Sequence, residues 1–509
     1  MKRNPEALAR ERFDLLILGG GITGAGVALD AATRGLRVAL IDKGDFAGGT
    51  SSISSKLVHG GLRYLEHGDF RLVREALRER AHLLRNAPHL VRPLRFVLPL
   101  YQGARVPAWK WRVGLFLYDL LAGRGNIQRS RLLPLRRIEQ EFPELRRRGL
   151  LGGLEYHDAQ MDDARLCIEV LRTAAIHGAT VGNYIEAVGF EHDGAAISGV
   201  RARDHLSGGE FSIAARQVVN ATGPWGDGVR RLAGEDSGPL LRPTKGVHLV
   251  APGRGLRTAF LFLHPADGRV FFVIPWMNRT LTGTTDTLSD DSPDGVQATD
   301  ADEAYLLEGF NHYFDEPLRS ADLLSRFAGL RPLIAERPGA PSDLSREFEL
   351  VRGPGGLLTA AGGKYTTYRH MAEVITDAIV DRLGMRARCR TMDLALDGAP
   401  AQPWASFRVA ATARLADEFS LASRSAAHLV ERYGRRAEEI ATITRENVAL
   451  LQPVVPSEPE IQAEFVYHRE QEMAYTAGDF LLRRTRLGLF HPELLQNPPV
   501  QGRTTVKLR

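Results

Sequence analysis

The chain has 509 residues, 44% of them hydrophobic and 25% charged, so it can form two or three domains and bury ample core without cross-links. Its 66 basic and 61 acidic residues leave a formal net charge of +5. That value suits an anionic small substrate or an acidic membrane surface as well as nucleic acid, and decides little among them. No stretch approaches eighteen uncharged apolar residues, so no segment is expected to span a bilayer. The N-terminus lacks the apolar core of a signal peptide. Cys167 and Cys389 belong to no metal-binding or C-x-x-C spacing, which argues against a metal site and for inert thiols in a reducing compartment. The expected location is the cytoplasm or the inner face of a membrane.

The first element is a βαβ unit. An apolar strand over residues 13–18 leads into Gly19-Gly20-Gly21-Ile22-Thr23-Gly24, then a helix to Gly35, then a second strand ending at Asp42. Gly19 permits the tight turn, Gly21 lets backbone approach a pyrophosphate, and Gly24 lets helix and strand pack closely. The helix N-terminus turns its free N–H groups toward phosphate, and the Asp42 carboxylate can accept hydrogen bonds from an adenosine ribose. The bland alternative is an ordinary strand–helix turn. The position of the terminal acid favours a dinucleotide site, without saying which dinucleotide.

The next segment, Gly48 to Tyr64, is rich in glycine and small hydroxyl residues and carries Lys56, His59, Arg63 and Tyr64. A plain surface loop gains nothing from these four, whereas a cofactor could lie along such a loop. Asp69 should start a helix that ends near Pro88. Residues 106–118 mix Trp109, Trp111 and Phe116 with Lys110 and Arg112. They read either as an amphipathic helix lying in a lipid interface or as a helix facing the core. Asp162 or Asp163 should cap another helix, ended by Gly178.

An apolar strand then runs into Asn220-Ala221-Thr222-Gly223, a second place for close backbone approach. Residues 244–285 alternate and are rich in Val, Phe, Leu and Thr, which predicts an antiparallel sheet unlike the N-terminal unit. A strand, Gly362-Gly363 and a threonine-capped helix follow, pointing a positive helix end at whatever lies above the turn. Beyond Pro400 the pattern is helical, with a tail from Gln496 expected to be disordered. No second G-x-G-x-x-G follows a strand, so one dinucleotide is expected.

Six features occur together in order: the N-terminal fingerprint, the run at 51–64 (Ser-Ser-x-Ser-Ser-Lys-x-x-His-Gly-Gly-Leu-Arg-Tyr), Asn-Ala-Thr-Gly-Pro-Trp at 220–225, Gly-Thr-Thr-Asp at 283–286, Gly-x-Arg-Pro-Leu at 329–333 and Gly-Gly-Lys-x-Thr-Thr-Tyr at 362–368. As a set, over residues 13 to about 390, they resemble the FAD-dependent glycerol-3-phosphate dehydrogenases of the respiratory chain. The Asp479-Phe-Leu-Leu-Arg-Arg-Thr run extends the likeness more loosely.

The resemblance implies an α/β FAD-binding domain of the glutathione-reductase, Rossmann-like kind (residues 1–90, 155–235 and 350–395). Over it would lie an antiparallel-sheet substrate domain (91–154 and 236–349), followed by an all-α C-terminal domain (396–509). It implies FAD as cofactor, held by Gly19, Gly21, Gly24, Asp42, Thr50, Ser51, Ser52, Ser55, Lys56, Ala221, Thr222, Gly223, Gly363, Lys364 and Thr366. It further implies oxidation of sn-glycerol 3-phosphate, quinone as electron acceptor, no nucleic-acid partner, monotopic attachment to the inner face of the cell membrane, and often a homodimer.

A phosphate dianion requires several cations, which suggests Arg63, Arg331, Arg346 and Lys364 as its ligands, with Tyr64 and Thr284 beside them. His59 and His248 are the candidate bases for the C2 hydroxyl, and Arg331 joins them as a candidate catalytic residue. The rival readings are a glycerol phosphate oxidase, an amine oxidase of the same fold, and a flavin-binding protein without catalysis.

Overall fold

The computed structural model describes residues 1–335 and 348–498; the side chains of residues 63, 66 and 67 are outside the description. The expected ligand Arg346 and most of the C-terminal tail therefore lie outside the described residues.

Strand Leu15–Leu18, helix Ile22–Thr33 and strand Val38–Ile41 form the expected βαβ unit, with Leu15 opposite Val38 and Leu18 opposite Ile41 in parallel register. Both strands are wholly buried, as continuous apolar runs must be when helices cover both faces of a parallel sheet. Val218–Asn220 pairs parallel to Leu15–Leu18, and Leu358–Gly362 pairs parallel to Val218–Asn220. Three remote chain segments thus end side by side, bringing Gly19, Ala221 and Gly362 to the carboxyl edge of one sheet. Ligands settle at that edge in open α/β sheets. Thr180–Gly182 and the antiparallel Phe348–Arg352 complete the sheet.

A larger sheet lies against it, built mainly from Val91–Tyr101, Leu150–Met161, Thr244–Pro252, Ala259–Leu263, Val270–Trp276, Arg279–Gly283 and Ser325–Arg331. The expected antiparallel pairing needs one correction: Ala259–Leu263 runs parallel to Val91–Tyr101, with Ala259 opposite Phe96. These two strands are far apart in the chain, so no hairpin imposes antiparallel geometry on them. Leu150–Met161 crosses residue 154/155 and also pairs with Leu57–Val58.

Helix Phe70–Asn86 is capped by Asp69, which accepts from Leu72 N at 3.0 Å. Helix Asp163–Ile176 is capped by Asp162. Helix Ala108–Ala122 has one buried and one exposed apolar face. Trp111, Leu115 and Tyr118 are buried, while Trp109, Val113, Phe116 and Leu120 stand exposed on another face. Among the described residues no helix is long and apolar enough to cross a membrane.

The C-terminal domain packs Leu415, Leu429, Tyr433 and Ile440 from the helices Trp404–Glu418, Ser423–Tyr433 and Ala437–Ile443 into its own core. It docks on the rest of the chain through buried ion pairs: Arg165–Glu472 (2.7 Å), Arg484–Asp45 (2.8 Å) and Arg486–Asp162 (2.7 Å). Removing one member of such a pair typically costs about 3–5 kcal/mol, because the other charge is left buried alone. The docking geometry is therefore tightly specified.

Candidate active site

A cavity of about 1020 Å³ opens at the carboxyl edge of the parallel strands and extends beneath the large sheet. Small-molecule sites are usually about 300–1,000 Å³, so the space is ample for a long ligand.

One half of the cavity wall is backbone. Gly19 has φ of +106°, and a Cβ there would come within 2.7 Å of Ala221 O; glycine alone fits. Gly24 does not face the cavity: its missing Cβ lets helix and strand close up, with Gly19 O at 2.0 Å from where that atom would be. Gly21, Ile22 and Thr23 open onto the cavity at a helix N-terminus whose N-cap, Gly21, has no side chain to cap it. Ser51 Oγ takes the Ile22 N–H at 2.9 Å, and Thr50 Oγ1 donates to Leu330 O at 2.6 Å. Asp42 accepts from Gly20 N (2.6 Å) and Gly44 N (2.8 Å). Burial pushes its carboxyl up to about 6 despite those two donors. Ala221, Thr222, Gly223, Gly363 and Thr366 continue the wall. A backbone cradle, a helix N-terminus, hydroxyl groups and an acid at the strand end fit FAD.

The other half carries charge and imidazole. His248 and Arg331 come from adjacent strands of the large sheet, Lys364 from the glycine turn, and His59 and Tyr64 from the hydroxyl-rich segment; all five line the cavity. Arg331 donates through Nη1 to Asp286 at 3.1 Å, and through Nη2 to Thr284 Oγ1 at 2.8 Å and Thr285 O at 3.2 Å. Lys364 Nζ sits 3.5 Å from the centre of the Tyr64 ring, a cation–π contact. His248 is buried, stacks on Phe327, and pairs its Nε2 with Ser55 Oγ at 2.8 Å. Burial holds this imidazole well below its usual pKa, helped by the Lys56 and Arg331 charges, so it is neutral. The backbone N–H of His59 donates to Thr366 Oγ1 at 3.2 Å.

Besides Gly24, four expectations need correction. Lys56 is wholly buried, gives its ammonium to Asp163 (2.8 Å) and Ser52 O (2.6 Å), and does not line the cavity. It supports the segment from behind. Ser52 likewise turns away, its hydroxyl donating to Gly49 O at 3.3 Å. Thr284 stands behind Arg331 and orients it, off the cavity wall. Thr367 occupies the N-cap position of helix Tyr368–Arg382, but its hydroxyl donates back to Lys364 O at 3.3 Å and caps nothing. Ser55 meets His248 at the cavity wall. Arg63 falls on the 3₁₀ turn Leu62–His67, its side chain outside the description.

Two contributors escaped the sequence reading. Arg483 and Thr476, from the C-terminal domain, line the same cavity, Thr476 beside the Tyr184 hydroxyl (3.4 Å) and Arg483 on the Asp45 carboxylate. The signal for Arg483 was the Asp479-Phe-Leu-Leu-Arg-Arg run, which carries no spacing that would connect it to a site more than 400 residues away.

Residues 14–369 match the family model described as FAD dependent oxidoreductase. Residues 389–497 match the C-terminal domain of alpha-glycerophosphate oxidase. The mitochondrial glycerol-3-phosphate dehydrogenase of Homo sapiens is 39% identical over 94% of this chain and 68% of its own length. The aerobic glycerol-3-phosphate dehydrogenase of Staphylococcus saprophyticus is also 39% identical, over 94% of this chain and 87% of its own. The crystal structure of the glycerol-3-phosphate dehydrogenase from Bacillus halodurans complexed with FAD superposes with a TM-score of 0.81 at 32% identity, covering 96% of this chain and 89% of that one. With likeness along nearly its whole length and a cavity built to take a flavin dinucleotide, the chain belongs to the FAD-dependent glycerol-3-phosphate dehydrogenase family.

Proposed function

We propose that the protein oxidises sn-glycerol 3-phosphate to dihydroxyacetone phosphate and delivers the electrons to a quinone. The observation that carries this reading is the meeting of Arg331, Lys364, His59 and His248, from four separate chain segments, in one cavity continuous with the glycine cradle. When bound, FAD supplies the acceptor for the C2 hydride.

The residues divide the remaining work. Arg331 and Lys364 grip the phosphate, since charge-assisted hydrogen bonds to a dianion are the strong ones. Asp286 and Thr284 hold the Arg331 fork in one plane. His59 takes the C2 hydroxyl proton, as a half-buried imidazole on the cavity wall. His248, neutral and already engaged by Ser55, forms an uncharged flank beside the reacting carbon. The expected phosphate ligands Arg63 and Arg346 remain part of this proposal.

The exposed face of helix Ala108–Ala122 supports attachment to the inner face of the cell membrane. Trp109 is 62% exposed, Phe116 66% and Leu120 65%. They lie at helical spacing beside Lys110 and Arg112, the pairing of apolar insertion and anionic-lipid attraction found in interfacial helices. The quinone acceptor and a homodimer rest on family resemblance alone.

Steady-state turnover with sn-glycerol 3-phosphate tests the reaction. Reduction of a quinone analogue without hydrogen peroxide is the expected result; peroxide release matching substrate consumption would make the protein an oxidase.

A further inference from the structure

We infer that the C-terminal domain is part of the cofactor site, with Arg483 as a positioning residue that sets FAD affinity through Asp45. This inference rests on the reading of the cavity as an FAD site. Asp45 lies three residues beyond Asp42, on the loop that leaves the second strand of the βαβ unit. Arg484 grips its carboxylate with both nitrogens, Nη1 at 2.8 Å and Nη2 at 3.0 Å. Arg483 binds the same carboxylate through Nε and turns its Nη2 to Asp479 at 2.7 Å.

The loop is held from the other side too. Asn183 Nδ2 donates to Asp45 at 3.1 Å, Tyr184 N to Gly44 O at 2.9 Å, and Tyr184 OH to Asp479 at 2.6 Å. Asp42 and its loop are thereby clamped between the turn at 183–184 and the C-terminal π-helical turn Asp479–Arg484. Burial pushes the Asp45 carboxyl up, and the Arg484 and Arg483 guanidiniums outweigh it, leaving the group ionised below its usual range. Removing Arg483 takes one of two cations from a buried carboxylate and loosens the loop it holds, with Arg484 and Asn183 left as partners. Since Arg483, Thr476 and Asp45 all line the cavity, displacing them opens the wall at Asp45.

Coupling of this kind is reciprocal. If the C-terminal turn raises affinity for FAD, FAD must stabilise the turn. A purely structural role for the arginine would lower thermal stability without moving FAD affinity at temperatures where the protein is folded.

The test uses the full-length protein, freed of cofactor and titrated with FAD by flavin fluorescence. Arg483→Gln should raise the FAD Kd at least tenfold. Asp45→Asn should raise it in the same direction, and Arg414→Ala, in an exposed pair with Glu438 of the same domain, should leave it unchanged. FAD should slow amide hydrogen exchange across residues 476–484 in the wild type, and much less in Arg483→Gln. If Asp45→Asn does not fold, the Arg483→Gln titration decides. An FAD Kd within twofold of wild type in Arg483→Gln, or exchange at 476–484 indifferent to FAD, overturns the inference. A wild type that binds no FAD at all would instead remove the functional reading beneath it.

Discussion

A Cβ built on Gly246 would stand 2.3 Å from Nη2 of Arg331. The glycine is one strand across from the arginine, opposite Gly329, and its bare backbone is what lets the guanidinium lie flat against the sheet and still reach Asp286. Gly246→Ala should therefore act on substrate binding. The guanidinium is the far end of a flexible side chain and can swing aside, so the stability loss should sit near the low end of the about 1–3 kcal/mol usual for overpacking. A several-fold rise in KM with unchanged flavin content is expected; steady-state kinetics beside a thermal melt checks it.

Removing the charge itself should cost more. Arg331→Ala and Lys364→Met should each lose about 1.5–3 kcal/mol in substrate binding, the range for hydrogen bonds to charged groups, or roughly 10- to 150-fold in KM. Thr284→Val only loosens the Arg331 fork and should lose about 0.5–1.5 kcal/mol. An unchanged KM in Arg331→Ala would take that residue out of the phosphate site.

The pH dependence of cofactor binding follows from Asp42. In the free protein its carboxyl is raised to about 6. Ribose hydroxyls need the ionised form as acceptor, so below that pH a proton must leave before FAD binds. The FAD Kd should be flat above about pH 6 and rise by up to tenfold per pH unit below it. Asp42→Asn should abolish the slope and weaken binding at pH 7. A titration of Kd between pH 5 and 8 gives the answer.

The two imidazoles should separate cleanly. His59→Asn should lower kcat by about 10²–10⁴-fold, the usual contribution of a positioned base. Ser55→Ala, which frees His248 Nε2, should lower it far less. His248 also predicts a stability effect. Its folded pKa is well below 6.5, so an unfolded chain takes up a proton as pH falls through about 6.5 while the native protein does not. Its contribution is present above that pH and is lost progressively as pH falls toward the folded value. Replacing it with Phe should flatten that limb of a denaturant-midpoint series.

Much of the scaffold was legible in the sequence because it is local. The βαβ unit, the Asp69 and Asp162 caps, and the alternating strands at 244–285 follow from short-range pattern and turn chemistry. The family motifs hold Arg331, Lys364 and His59, whereas His248 stood as a candidate by its imidazole chemistry alone. Side-chain direction was not legible. Lys56 and Ser52 share a run with Thr50 and Ser51, and nothing in that run says which members face the cavity. Asp163, 107 residues on, takes the lysine inward. The part played by Arg483 was hidden for the same reason. Its partner Asp45 is 438 residues away, and only the docked helical domain joins them. The exposed and buried faces of helix Ala108–Ala122 coexist at helical spacing, so its sequence supported either reading.

The central claim is that one bound flavin and a cluster of fixed cations serve a small phosphorylated alcohol. Anaerobic addition of sn-glycerol 3-phosphate to the purified flavoprotein tests it most directly. The account predicts bleaching of the visible flavin absorbance to completion at about one substrate per flavin when a trap removes the ketone product, with glycerol far less effective for want of a phosphate. A flavin that stays yellow under excess substrate, or that is bleached equally well by glycerol, would contradict it.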